Sequence, residues 1–453
     1  MPTTPLEWLP VLAKRMDTRA PIVAKNRRYS EGQADLPEMG DNLRESWLAF
    51  QKKARTDYGG LLCTSIADRT IPMGFRYGTT RTSEQAKALA TLWRNLRLYI
   101  VFTEAMWDAY ATGWGYVLTV NRNGQPLVTA EKPEQMVTMP DPAQPWRAQA
   151  ALKAWRDTDA KTDYATVWIP GQVQRFKRPS TNSNGTPVGT VAAQGGVEWE
   201  PIDEEPIEFD GGVPVHALEN RRGLAEFEPH IDVIDRINLG KLHRLVVTAM
   251  QAFKQRAVKR GDEMDDDEEG NDSDLEGMFS AAPGAVWDLP HGWDIWESAS
   301  TDISGLLEGE KADARDLAAV TRRSISVFIP DGANQSAEGA ASAREGEISA
   351  AHDRIARFTP ALVASMVDAL RILRLPTDES VELMWQPPEH VSLNEKTNAA
   401  TQAKSAGVSQ SWINQRIFGM SPEEMAEEET NRSAEALALA SATINTGAPS
   451  GNA

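Results

Sequence analysis

The sequence predicts an α+β fold, with helices and strands in separate stretches of the chain. Apolar residues recur at helical spacing in several long stretches: residues 5–29, 83–112, 230–260, 302–328, 340–373 and 394–440. Residues 116–120 form a strand pattern, and Asn123-Gly124 is a two-residue hairpin turn signal before a returning strand at 127–130. The length of 453 residues allows two or three structural units.

The first part of the chain, residues 1–225, contains both helices and strands. Its first helix carries apolar residues on one side, at Leu6, Leu9, Leu12 and Met16. The long helix pattern at 83–112 ends where Gly113-Trp114-Gly115 interrupts it. Residues 180–196 are rich in Ser, Asn, Gly and Thr, and this composition predicts a loop.

Two long helices flank a small insertion in the second part. The helix at 230–260 ends in cations that stabilise a helix C-terminus through its dipole, at Lys254, Arg256, Lys259 and Arg260. An acidic run follows at 262–276, and residues 283–300 contain Pro, Gly and three Trp, which predicts short strands and turns. The second helix at 302–328 ends before Pro330.

A short polar loop then leads into a third long helix. Residues 331–339 are small and polar, and the helix at 340–373 contains Pro360, which should kink or divide it. Residues 381–385 form a short strand pattern, and residues 394–440 are helical. The tail at 441–453 is rich in Gly, Ser, Asn and Thr, which predicts disorder.

Composition excludes several classes of protein. The formal net charge of −18 argues against a domain that clamps nucleic acid by neutralising phosphates. Cys63 is the single cysteine, so no internal disulfide is possible. The N-terminus lacks the basic start and apolar run of a signal peptide, and no apolar stretch reaches the roughly 20 residues that span a bilayer. We expect a protein made in a cytoplasm, without a membrane segment.

Catalytic signatures are missing from the sequence. Gly240-Lys241 is the only Gly-Lys pair and has no preceding glycine loop, which argues against a motor ATPase. The six histidines show no metal-ligand spacing, and no base is placed for Cys63 as a nucleophile. We therefore expect neither enzymatic activity nor a cofactor. A metal-dependent nuclease that uses the acidic run is a weaker hypothesis, which cleavage of linear DNA with magnesium would support.

The acidic run matches part of a calcium-binding loop. Asp265, Asp267, Glu269, Gly270 and Glu276 fall at positions 1, 3, 5, 6 and 12 of the EF-hand pattern. Glu269 replaces the usual Asp or Asn, and no clear exit helix follows before Pro283. A segment this acidic matches by chance, so a solvated loop is the favoured interpretation and no metal is assigned.

Several motifs, in their order and spacing, resemble the Gp6-like (SPP1-type) portal family of tailed phages, in its actinobacteriophage version. The matching segments are Tyr29-Ser30-Glu31-Gly32 with Leu36-Pro37, Leu61–Ile71 with Gly74-Phe75-Arg76, Trp107–Thr119, Val213-Pro214-Val215 with Asn220 and Gly223, Asp232–Asn238, Pro283–Trp287 and Asn334–Gly339. The similarity covers about residues 6–430. Two departures are Gly339, where the family more often has a helix former, and Gly59-Gly60, where it usually has Asn.

The resemblance implies a portal fold: a mixed α/β wing, two long stem helices flanking a small α/β clip, a kinked tunnel helix and a C-terminal helical crown. By chain order, the regions are the wing at 1–225, stem helix 1 at 226–260, the clip at 261–300, stem helix 2 at 301–329, the tunnel loop at 330–339, the kinked helix and the rest of the wing at 340–392, the crown at 393–440 and a disordered tail at 441–453.

The resemblance also implies a function. Portal subunits form a ring, usually of about twelve copies, at the capsid vertex, through which double-stranded DNA is packaged and ejected. Implied partners are other copies of the chain, DNA in transit, the terminase large subunit, the head–tail adaptor, and major capsid and scaffolding proteins. The implied location is the virion, with assembly in the host cytoplasm. An alternative is another ring-forming phage tail or baseplate protein, although the long paired helices favour the portal.

The resemblance places two candidate sites on this chain. The tunnel loop supplies residues that face the DNA channel: Asp331, Asn334, Gln335, Ser336 and Glu338. The clip contains Trp287, Trp293 and Trp296, which belong either to its small core or to an interface with the motor and adaptor. Upstream, Arg322 and Arg323 either give a weak positive band or pair with stem carboxylates such as Asp313 and Asp316.

Overall fold

The computed structural model describes most of the chain, namely residues 2–37, 44–78, 83–180, 191, 198–252, 256–259, 294–297, 302–329, 337–377, 380–389 and 393–446. These residues divide into two compact units. The first unit comprises Met1–Gln33, Asp57–Ile231 and Thr321–Ala453, and the second comprises Ala34–Thr56 and Asp232–Val320.

Helices and strands occupy the following bounds. The helices are α1 Pro5–Ser30, α2 Arg44–Ala54, α3 Tyr58–Ala67, α4 Glu84–Asn95, α5 Leu98–Thr112, α6 Ile231–Ala252, α7 Ser304–Thr321, α8 Ile325–Phe328, α9 Ala337–Ile372, α10 Leu393–Ser405, α11 Gln410–Ile413 and α12 Pro422–Thr446. The strands are β1 Pro72–Tyr77, β2 Trp114–Arg122, β3 Gln125–Glu131, β4 Met136–Pro140, β5 Ala148–Asp157, β6 Thr162–Ile169, β7 Gln172–Pro179, β8 Glu200–Pro201, β9 Ile207–Glu208, β10 Val215–Glu219, β11 Arg256–Lys259, β12 Asp294–Glu297 and β13 Val381–Trp385.

The first unit is built on antiparallel sheets. One sheet has the order β4-β5-β6-β7-β8 with β9 also paired to β7, a second has the order β10-β2-β3, and β1 pairs with β13. The predicted hairpin is confirmed, because β2 and β3 pair around Asn123 and Gly124, which both have positive φ. Those angles fit the turn type that Asn-Gly favours.

Helix α1 covers one face of the large sheet. Thr4 accepts a hydrogen bond from the Glu7 N–H, and the Glu7 side chain accepts from the Thr4 N–H, which is a capping box that fixes where the helix starts. Its inner side, which includes Leu9, Leu12 and Met16, is buried with sheet residues such as Val167 and Phe176. Burial of this apolar stripe stabilises the helix against the sheet.

The predicted single helix at 83–112 is wrong, since the chain forms α4 and α5 with a break between them. Arg97 has φ 51, in the left-handed region. Leu92 and Leu98 are both buried, but a spacing of six residues would put them on different sides of one straight helix. The break allows both side chains to reach the core.

The predicted helix at 230–260 is too long. Helix α6 ends at Ala252, and Arg256–Lys259 is a strand paired with Asp294–Glu297. The assignment of Arg256 and Lys259 to a helix C-terminus is therefore wrong; Lys254 and Arg260 lie outside the described residues. The strand register places Arg256 opposite Glu297 and Lys259 opposite Asp294, and residues of opposite charge at paired positions favour a sheet.

The predicted helix at 302–328 is interrupted, and the later helices differ at their ends. Helix α7 stops at Thr321, Arg322 has φ 57, and Ser324 caps the short α8.

Helix α9 starts at Ala337, so Glu338 belongs to the helix, and it continues through Pro360 without division. Burial of Phe358 and Leu362 on either side supports the helix where proline removes one hydrogen bond.

The C-terminal region forms three helices with a π-helical turn at Asn414–Phe418. Helix α12 extends to Thr446, so the prediction of disorder from residue 441 is wrong for 441–446, and 447–453 lie outside the described residues. Among the helices of the described residues, none combines the length and apolar character needed to cross a membrane.

Candidate functional site

Most of the predicted site residues lie outside the described residues: Asp331, Asn334, Gln335, Ser336, Trp287, Trp293, Asp265, Asp267, Glu269 and Glu276. Glu338 is in the first turn of α9, and Trp296 is in β12 opposite Ala257. Within the described ranges, no group of three or more His, Cys, Asp or Glu side chains could hold a metal ion. The chain on both sides of residues 330–336 is described, and it forms a defined site.

We call this site the loop base. It consists of Arg322–Ser324 before the loop, Gly346–Arg354 in α9 after it, and the side chains that join them. The Ser324 N–H donates to Glu347 Oε1 at 2.8 Å, which links residues 23 positions apart. A Cβ on Gly346 would lie 2.5 Å from the Arg322 carbonyl oxygen, so glycine allows the two segments to approach closely.

Glu226 is the central carboxylate of the loop base. Arg354 donates to it through Nε at 2.7 Å and Nη2 at 3.1 Å, and Arg323 donates through Nη2 at 3.2 Å. Asn220 adds a hydrogen bond from Nδ2 at 3.1 Å. The Glu226 and Arg323 side chains are each 3% exposed, so this is a buried, bidentate ion-pair network.

Glu347 is the second carboxylate of the loop base. Arg69 donates to Glu347 Oε2 at 2.6 Å and to the Pro388 carbonyl at 2.9 Å. The Glu347 side chain is 3% exposed. Glu347 therefore ties α9 both to the chain after α3 and to the Ser324 backbone.

Burial and ion pairing act in opposite directions on the arginines of the loop base. Burial lowers the pKa of Arg323, although Glu226 and Glu347 oppose the effect, and its Nε and Nη1 have no hydrogen-bond partner among the described residues. Burial also acts to lower the pKa of Arg354, but Glu226 and Asp353 together outweigh it and raise the pKa. Burial raises the pKa of the Cys63 thiol, which is fully buried. A buried neutral thiol is a poor nucleophile.

The loop base is a buried network of ion pairs that joins two segments of the chain. Its arginines are paired with carboxylates, and its carboxylates are paired with arginines and backbone donors. Removing one partner would leave a buried charge without compensation, at a high cost in free energy. This arrangement fixes both ends of the segment that contains residues 330–336.

One of the two alternatives predicted for Arg323, pairing with stem carboxylates, is wrong. Arg323 is buried with Glu226. In the second unit, Asp313 and Asp316 instead pair with Arg236 at 3.0 and 3.3 Å. Arg244, which follows Arg236 in α6, pairs with Glu310, which precedes Asp313 in α7, at 2.7 Å. The two helices are therefore antiparallel.

Little in the sequence points to the residues that form the loop base. Glu226, Glu347 and Arg354 are ordinary charged residues in sequence, and nothing local shows that they are buried. Gly346 carried one signal, because an isolated glycine inside a helical pattern usually has a packing reason.

Comparison with known proteins identifies the class to which this fold and site belong. A family model described as "Phage portal protein, SPP1 Gp6-like" matches residues 12–437, nearly the whole chain. The chain therefore belongs to the SPP1 Gp6-like family of phage portal proteins, which confirms the resemblance found in the sequence. No curated protein matches the chain in sequence.

Solved structures similar to the chain include three from gene transfer agent particles. The neck of a native particle computed with C12 symmetry is 14% identical, with 87% of this chain and 98% of that chain covered and a TM-score of 0.46. The virion of a native particle is 13% identical, with 88% of this chain and 99% of that chain covered and a TM-score of 0.46. The neck of an empty particle computed with C6 symmetry is 13% identical, with 84% of this chain and 95% of that chain covered and a TM-score of 0.47.

Proposed function

We propose that this chain is the subunit of a closed ring of about twelve copies at the capsid vertex, through which double-stranded DNA is packaged and ejected. In this proposal the ring docks the terminase large subunit during packaging and the head–tail adaptor afterwards, and it contacts the major capsid and scaffolding proteins. The chain acts as a conduit and not as an enzyme. Family membership supports the proposal.

The loop base is the observation that carries the proposal. A segment that narrows a channel around moving DNA must be held firmly at its root while its middle stays free to adjust. Arg323 and Ser324 before the loop, and Glu347 and Arg354 after it, are held together by buried ion pairs and a backbone hydrogen bond. Such a clamp suits a tunnel loop that ends where helix α9 starts at Ala337.

The composition of the loop fits passage of DNA. Asn334 and Gln335 exchange hydrogen bonds with phosphates without a fixed charge, and the segment 331–339 contains no Lys or Arg. Cations would hold the DNA, since phosphate contacts dominate the affinity of proteins for DNA. The net charge of −18 per chain adds general repulsion.

The second unit supports ring formation. Helices α6 and α7 pair with each other through Arg236 and Arg244, yet Leu307 and Val320 on α7 are 39% and 51% exposed. Single exposed apolar residues are common on protein surfaces, but these two are available to be covered by another chain. In a ring, the neighbouring copy supplies that cover through a heterologous interface that closes by rotation.

A packaging assay with two added cations in the loop tests this function. The double variant Asn334→Lys plus Gln335→Lys should form rings but package DNA at a clearly reduced rate, because the new cations bind phosphates. The matched control is Gln125→Lys plus Gln144→Lys, which adds the same charge at two exposed positions of the first unit and should package normally. Normal packaging by the loop variant would contradict the proposed role of the loop.

A further inference from the structure

The outward face of α1 combines exposed apolar side chains with cations. Val11, Lys14, Thr18, Ile22 and Lys25 lie along one side of the helix, at spacings of three or four residues. Val11 and Ile22 are 39% and 41% exposed. We call this surface the α1 face, and it includes the neighbouring Arg15.

The α1 face has a fixed orientation. The opposite side of α1 is buried against the large sheet through Leu9, Leu12 and Met16. Asp17 also accepts a hydrogen bond from the Val191 N–H at 2.9 Å. Helix α1 cannot rotate to bury Val11 and Ile22 without exposing this core, so both residues remain available to a partner.

The cations of the α1 face lack carboxylate partners among the described residues. Lys14 and Arg15 form no ion pair there, and Arg15 Nε is a buried donor without an acceptor. Arg19 stacks on the Trp114 ring at 4.2 Å and donates to the Tyr116 hydroxyl at 3.0 Å, and within the described part of the chain it forms no ion pair with a carboxylate. Burial, and then the nearby Arg19 charge, lower the pKa of Arg15, although Tyr116 and Glu219 oppose the effect. A further carboxylate brought close to Arg15 would offset the Arg19 charge.

A surface of opposite charge lies at the edge of the same sheet. Residues 198–210 contain seven acidic residues and no Lys or Arg, and we call this segment the acidic edge. Asp203 is paired with Arg175, but several other carboxylates are exposed and form no ion pair within the described part of the chain: Glu198, Glu200, Glu204, Glu205 and Glu208. Ile202 and Ile207 are 40% and 47% exposed. The acidic edge therefore matches the α1 face in both charge and apolar content.

We propose that the α1 face of one subunit docks on the acidic edge of the neighbouring copy in the ring. This inference rests on the proposed function, because it assigns two surfaces of the first unit to the contact between subunits. A heterologous interface needs two different, complementary surfaces on each copy, and this chain carries such a pair. Copies with a net charge of −18 repel one another, so a local basic surface is needed where they meet.

Charge reversal on each surface, separately and together, tests the pairing. Lys14→Glu plus Arg15→Glu, or Glu204→Lys plus Glu205→Lys, should weaken ring assembly by about tenfold per interface, because attraction becomes repulsion. Combining all four changes should restore assembly, since opposite charges again face each other. Mass photometry over a range of protein and salt concentrations measures the fraction of chains assembled into rings. Circular dichroism checks that each variant folds.

The matched control is Lys87→Glu plus Arg147→Glu, which changes the net charge of the chain by the same amount at two other exposed positions. The control should assemble like the wild type. Two results would overturn the pairing of these surfaces while leaving the ring itself intact. In the first, the Lys14→Glu plus Arg15→Glu variant assembles like the wild type. In the second, the variant that combines all four changes does not recover assembly. A wild-type chain that stays monomeric would contradict the ring as well.

Binding of DNA phosphates is the competing use of the α1 face, and the same variants decide it. Fluorescence anisotropy with a short DNA duplex should show no difference between the wild type and the Lys14 and Arg15 variant. Loss of duplex binding in that variant, together with an intact ring, would assign the α1 face to DNA and overturn the proposal.

Discussion

Glu226 is the residue that joins the largest part of the loop base. Its carboxylate accepts hydrogen bonds from Arg323, Arg354 and Asn220 while its side chain is 3% exposed. Glu226→Gln should lower the free energy of unfolding by about 3 kcal/mol, because two buried guanidinium groups lose their counter-charge. Urea unfolding followed by circular dichroism measures the loss.

Asp353 provides the control for Glu226, since it also pairs with Arg354 but is 37% exposed. Asp353→Asn should cost less than about 1 kcal/mol, because solvent screens a partly exposed ion pair. Equal losses for the two variants would show that burial of the Glu226 network does not matter to stability.

Single residues of the site were the hardest feature to predict from sequence. Arg323 stood out as a cation near the loop, but its partner Glu226 is 97 positions away in the chain. A contact over that separation depends on how the whole unit folds, and no local pattern encodes it.

At the scale of elements, the closest approach in the loop base depends on Gly346. Gly346→Ala would place a Cβ 2.5 Å from the Arg322 carbonyl, so α9 or the Arg322 turn must move. We expect a loss of about 1–3 kcal/mol in the free energy of unfolding, as for other overpacked positions. The midpoint temperature of thermal unfolding and the packaging rate should both decline.

Gly309→Ala is the matched control for Gly346→Ala, because Gly309 is also inside a helix but a Cβ at its position would have nothing within 4 Å. There alanine should raise stability by up to about 1 kcal/mol through its better helix propensity. A stabilising effect at both positions would contradict the close packing of α9 on Arg322.

The region expected from the family resemblance to form a clip supplies a second prediction at this scale. The acidic segment 265–274 lies outside the described residues, between the paired strands β11 and β12. Its deletion should leave ring assembly unchanged, because its acidic composition predicts a solvated segment that contributes little to packing. Mass photometry checks this outcome, and loss of the ring on deletion would make the segment structural.

Elements with local signals were predicted well, and elements fixed by distant contacts were not. The β2–β3 hairpin follows from Asn123-Gly124, whose turn chemistry is local. The break at Arg97 depends on burial of Leu98. The strand Arg256–Lys259 depends on pairing with Asp294–Glu297. Helical periodicity alone cannot show either of them.

At the scale of the whole molecule, the order of motifs along the chain carried the family assignment. Each motif is short and unspecific, yet together they agree with a family model that matches residues 12–437. The division into two units was not predicted, since the second unit joins Ala34–Thr56 to Asp232–Val320, which are distant in sequence. The sequence of one chain contains no comparable motif order from which the binding partner of a given surface could be predicted.

Electron microscopy of the purified protein, with mass photometry of the same sample, tests the central claim most directly. The proposed function predicts closed rings of about twelve subunits around an open channel. A sample that contains only monomers or dimers at micromolar concentration would contradict it.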